Sequence, residues 1–160
     1  MAITLEPLML HMAWANQEIF NEIAKLPDAA LEAYVTNEEW QVCVILLHIA
    51  KAADSYGCRI NGAKFSEFDF PEKMSDIKKL AEMMKKFDAE LLNLSKQPDR
   101  VIEVNREGKI THWKASTILS QAIHHATEHR AQAVAALEFR GFKAPNLDDY
   151  DLWSYEYSTK

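Results

Sequence analysis

Glycine and proline are scarce in this chain, four and five among 160 residues. So few breakers leave little room for turns and point to long helices. Only two cysteines occur, Cys43 and Cys58, and both fall in one expected helix. There they would stand about 22 Å apart, far beyond disulfide reach, so they read as buried or free thiols of a reducing cytoplasm. Neither has a histidine or basic cluster beside it in sequence, which argues against a catalytic thiol. Basic charge is also in deficit: the formal net charge is −6, which excludes a nucleic-acid binder driven by phosphate contacts. No apolar run reaches the length of a membrane span. Met1 to Leu10 lacks a basic n-region and a long h-region, so no signal peptide is expected. Phosphate-binding glycine loops, nucleophile elbows, paired-cysteine zinc motifs, His-Glu-x-x-His and the carboxylate pattern of di-iron bundles are all missing. What remains, at 48% hydrophobic and 26% charged, reads as one cytoplasmic domain spanning residues 1–160.

The periodic segments are helical. Leu5, Leu8, Met9, Met12, Ile19, Phe20 and Ile23 make one apolar stripe, with Pro7 in the first turn and Leu26-Pro27-Asp28 as the stop. A second helix is expected to begin near Thr36, where Thr36 and Glu39 have capping-box spacing, and to stop at Asn61-Gly62. The aromatic loop 63–71, with Phe65, Phe68 and Phe70, is expected to fold back over the end of the helices, with a lid as the second reading. A third helix spans about Ser75 to Lys96, its lysine-rich face solvated. Val101 to Trp113 alternates around a turn at Arg106 to Gly108 and predicts a short β-hairpin. A fourth helix runs from about Ser116 to Arg140 and stops at Gly141. The acidic, aromatic tail from Phe142 to Lys160 would pack on the helices or against a second subunit.

Three of the six histidines fall between Ile123 and Arg130. His125 and His129 are four apart and stack on one helical face. That face is apolar, with Ile118, Ala122, Ala126, Ala133 and Leu137 at helical spacing. Buried imidazoles need partners. His48 interrupts the apolar run Val42 to Ile49 and shares a face with Ile45 and Ala52, so it too points inward. Together His48, His125 and His129 would make a facial metal site with open positions for water or substrate, the pattern of catalytic rather than closed sites. Imidazoles suit zinc, nickel, copper or iron alike. The alternative is that the three simply fill a polar core. His124 projects about a hundred degrees off the His125/His129 line and reads as a bystander. His11 reads as a partner to a ligand or as a core histidine bonded to backbone. Arg130 and Gln132 are expected to make structural ion pairs or hydrogen bonds.

Four features, taken in order, carry a family resemblance: Trp14-Ala15-Asn16, Leu47-His48-Ile49, His125-Ala-Thr-Glu-His129-Arg130-Ala131-Gln132, and the spacing of Gly141, Pro145 and Asp148. The chain resembles the DinB-like (damage-inducible, YfiT-like) superfamily of metal-binding four-helix bundles. One departure is Ala131, where glycine is usual. The resemblance implies an all-α, up-down-down-up four-helix bundle, with His48, His125 and His129 as ligands of a divalent transition metal (zinc, nickel or iron) and often a homodimer. It also implies a possible activity: some relatives use the metal to activate a low-molecular-weight thiol for transfer to a small-molecule substrate. On that reading Trp14, Asn16, Trp40 and Tyr56 are candidate pocket walls, against the plainer reading of Trp14 as a packing anchor and Asn16 as a surface residue or an interhelix hydrogen bond, and no general base is identified. The rivals are a non-enzymatic stress-response bundle with a structural or regulatory metal, and a metal-dependent hydrolase.

Overall fold

The computed structural model describes residues 4–160. Residues 1–3, the beginning of the Met1–Leu10 stretch read for a leader, lie outside the described residues. Four long helices dominate: α1 (Glu6–Ile23), α2 (Val42–Asn61), α3 (Met74–Ser95) and α4 (Ala115–Phe139). A hairpin of β1 (Val101–Arg106) and β2 (Lys109–Lys114) precedes α4, and a short α5 (Leu152–Ser158) lies in the tail. The expected stripes meet in one apolar cluster that includes Met9, Phe20, Ile45, Leu46, Ile77, Met84, Leu91 and Leu137. α1 packs mainly on α3, and α2 on both α3 and α4. The inner face of α4 is rich in alanine: Ala122, Ala126 and Ala133 are all buried. Small side chains there let the neighbouring backbone approach closely and leave space for the larger histidines between them.

The start of α2 corrects the sequence reading. The helix begins at Val42, not near Thr36, and its N-cap Gln41 is extended. The Asn37 side chain accepts the Glu39 backbone N–H at 3.0 Å, and the Trp40 N–H bonds the Asn37 carbonyl at 3.0 Å. This local turn outcompetes the capping box, because a short amide side chain offers the backbone a non-helical partner. The Val42 N–H then returns to the Ala33 carbonyl at 2.9 Å. Trp40 therefore stands in a turn beside α2, free to aim its ring across to α4.

The hairpin is antiparallel with Arg106 opposite Lys109. Its two-residue turn places Glu107 at φ 52° and Gly108 at φ 84°, as a type I′ turn requires. Ile102 and Val104 bury one face against the helices. In the loop after α2, Phe68 alone packs back, against Phe87 at 5.8 Å, whereas Phe65 and Phe70 remain exposed. The end of α4 is a Schellman motif: the Phe142 N–H bonds the Leu137 carbonyl and the Gly141 N–H bonds that of Glu138, both at 3.0 Å, with Gly141 at φ 77°. The tail folds onto α1. Trp14 packs against Tyr150 and Tyr155 at 5.8 and 5.4 Å. No helix of the described residues is long and apolar enough to cross a membrane.

Candidate metal centre

His48 comes from the second turn of α2, and His125 and His129 from consecutive turns of α4. Their rings converge with centroids 4.7, 4.7 and 4.2 Å apart. One ring nitrogen of each lies within 4.8 Å of the others, and the Nε2 atoms of His48 and His125 face each other at 2.9 Å. Burial holds His48 below the ordinary imidazole range, helped by the nearby His129 and Lys51. Burial likewise pushes His125 down to about 4, helped by His129 and His48. These rings therefore stay neutral, with lone pairs available at neutral pH.

One further residue fixes the proton on His129. The Gln132 side-chain oxygen lies 2.9 Å from Trp40 Nε1 and 2.8 Å from His129 Nδ1. An indole N–H can only donate, so the Gln132 atom it meets is the carbonyl oxygen. His129 Nδ1 must then carry a proton and donate it to that oxygen, so the neutral form of the ring is the tautomer whose Nε2 keeps its lone pair. Trp40 also stands edge-on to the rings of His48 and His129, at 5.3 and 5.7 Å. The turn that displaced the start of α2 thus places Trp40 as both a wall of the site and an anchor for Gln132.

The donor set fits a divalent transition metal. Three imidazoles converge without a carboxylate, and one is oriented through its second nitrogen by a hydrogen bond, as metal-bound histidines usually are. His48, His125 and His129 would hold the ion.

Behind His125 lies a buried polar group. Asn16 donates from its amide nitrogen to both Asp88 carboxylate oxygens, at 3.0 and 3.2 Å. Its amide oxygen accepts from Arg130 Nη1 at 2.6 Å. Asn16 thus bridges a buried anion on α3 and a buried cation on α4. Burial raises Asp88 to about 6, against the pull of Asn16 and Arg130. Burial also lowers Arg130 to about 10, against Asp88. Asn16, Asp88, Tyr56 and His125 together line a cleft of about 10 Å³.

Of the residues singled out in the sequence, Trp40 and Tyr56 touch the histidines; the Tyr56 ring stands edge-on to His125 at 5.8 Å. Trp14 lies elsewhere, with its ring neighbours His11, Tyr150 and Tyr155. His11 lies within hydrogen-bond distance of the Tyr150 carbonyl, its Nε2 donating across 2.8 Å, so it is bonded to backbone. His124 and Glu128 are exposed. Both cysteines are buried and unpaired, and burial raises both thiols, Cys58 further through the charge of Asp54, so neither is a ready thiolate. Asp88 escaped the sequence reading among the charges of its helix. Its position, four after Met84 and three before Leu91 on the apolar stripe, was the available signal.

A comparison with curated proteins returns no match. The family model of the DinB family, in contrast, matches residues 1–158, a span that holds all four long helices, the three converging histidines and the tail folded on α1, and the chain belongs to that family.

Proposed function

We propose that this protein is a metal-dependent enzyme of the thiol-transferase type, a single domain over residues 1–160 built as an up-down-down-up four-helix bundle. The observation that carries the proposal is the convergence of three imidazole nitrogens within 4.8 Å. A divalent ion held there supplies Lewis acidity, lowering the pKa of a thiol or water bound to it. The protein's own groups do the rest. Gln132 holds the His129 ring in the tautomer that offers Nε2. Trp40 closes one side of the histidines against water, and Tyr56 borders another. Asn16, between Asp88 and Arg130, keeps α1, α3 and α4 in register behind His125. Trp14 acts at a distance, through the tail that it holds on α1. A cytoplasmic homodimer with a small-molecule substrate and a low-molecular-weight thiol as cosubstrate completes the reading.

Metal analysis of the purified protein tests it first. About one divalent ion per chain is expected, with its loss in His125→Ala and His129→Ala; full metal content in both variants sinks the site. Transfer of a thiol to an electrophile such as 1-chloro-2,4-dinitrobenzene should then depend on the metal. Metal binding without any such reaction would leave a structural or regulatory role in its place, and turnover of an ester without thiol would mark a hydrolase.

A further inference from the structure

A cavity of about 450 Å³ lies between α2, the inner face of the hairpin and the first turns of α4. Its size is that of a small-molecule site. Three cations line it, Arg59 from α2, Arg106 from β1 and Lys109 from β2, and no carboxylate does. Arg106 and Lys109 are directly opposite across the strands, an arrangement of like charges that is unfavourable by itself. They share the hairpin face that carries Val104 and Thr111. Among the described residues none of the three cations forms an ion pair. Arg59 bonds the Ser55 hydroxyl and lies over the Phe65 ring at 5.6 Å. Burial, and then the charge of Arg106, holds its guanidinium below the usual arginine range. Glu103 and Glu107 line an adjoining groove that shares both arginines, yet neither carboxylate pairs with them. In a chain of net charge −6, three cations line one cavity with no carboxylate in its wall.

The remaining walls are apolar and aromatic, with Tyr56, Trp113 and Ile118 prominent. Tyr56 is shared: it lines this cavity, and its ring stands edge-on to His125 at 5.8 Å. We propose that the cavity binds a small molecule with an anionic head, a carboxylate or phosphate, on an apolar or aromatic body, and holds it one side chain away from the histidines. The head meets Arg59, Arg106 and Lys109, and the body lies against Tyr56 and Trp113. That the site serves the metal centre rests on the function proposed above; anion binding in the cavity does not.

Isothermal titration of the metal-loaded protein with phenyl phosphate, and with neutral benzamide as its counterpart, tests the inference. Phenyl phosphate is expected to bind once per chain, at least about tenfold tighter than benzamide, as charge-assisted hydrogen bonds allow. Arg59→Gln and Arg106→Gln should each weaken it about tenfold. Stripping the metal with a chelator should leave it within about twofold, because the head does not sit on the metal. Should Arg59→Gln fail to fold, Arg106→Gln and Lys109→Gln, both on the exposed end of the hairpin, carry the same test. No binding, equal binding of the two probes, or unchanged affinity in the hairpin variants overturns the proposal. So does binding lost only when the metal is stripped, which would place the anion at the histidines. A purified protein that takes up no divalent ion and still binds phenyl phosphate through these cations would overturn the proposed function and leave the cavity standing.

Discussion

At the scale of single residues, the centre depends on a side chain that holds no metal. Gln132 accepts two hydrogen bonds on one oxygen, from Trp40 and His129. Leucine in its place has a similar size and no acceptor. The Trp40 and His129 N–H groups would then lose their partner, and the His129 ring would be free to turn and to exchange tautomers. Gln132→Leu is therefore expected to weaken zinc binding about 10- to 100-fold, the usual effect of losing the group that orients a ligand, while the other two ligands remain. Competition against a chromophoric chelator measures this directly. Affinity equal to that of the unmodified protein would show that His129 is oriented by packing alone. The role was not legible in the sequence, because it depends on Trp40 arriving from a turn 92 residues away. His48, by contrast, was legible: a lone imidazole within an apolar helix needs an explanation whatever the fold.

Between elements, the buried charges link helices that are distant in sequence. Asp88 on α3 and Arg130 on α4 do not pair directly; Asn16 of α1 stands between them. Burial raises the Asp88 carboxyl to about 6, above its value in the unfolded chain. Between those two values the folded protein holds a proton that the unfolded chain releases. This group's contribution to stability is therefore fully present below the unfolded pKa and is lost as pH rises through about 6. Asp88→Asn removes that titration. Urea unfolding at pH 5 and pH 7 should show the change: the gain from pH 7 to pH 5 should be about 1 kcal/mol larger for the unmodified protein than for the variant. Other groups titrate alike in both proteins and cancel. An identical pH response would mean that Asp88 is not held above its ordinary range. The same elements show what pattern reading captures. The hairpin was visible because alternation and a glycine turn are local signals, and the helix stops at Gly62 and Gly141 because each needs a left-handed residue. The start of α2 was not, since two local patterns, the capping box and the asparagine turn, compete over the same few residues. Nor was the gathering of Arg59, Arg106 and Lys109, which exists only once the hairpin folds against α2 and α4.

For the whole molecule, the three histidines span two helices that are joined in sequence only through α3 and the hairpin. An ion bound to His48 on α2 and to His125 and His129 on α4 is a cross-link that the unfolded chain cannot make, since its imidazoles are not held together. Binding to the folded state alone stabilises it by an amount set by the ratio of free metal to Kd, about 2.7 kcal/mol at a hundredfold excess. In a chain of this length that corresponds to a rise in Tm of roughly 5–10 °C. Stripping the protein with a chelator should lower Tm by that amount, and returning zinc or nickel should restore it. His48→Ala severs the link to α2 and leaves the two ligands on α4, which already share one helix. In that variant the metal-dependent shift should shrink to a small fraction even if some ion still binds. A full shift in His48→Ala would show that the ion is held by α4 alone, and that the convergence of the two helices is a matter of packing rather than of metal binding. The metal that gives the largest shift at equal free concentration is the one this three-nitrogen geometry prefers, so the same melting series ranks zinc, nickel and iron without any assumption about the reaction.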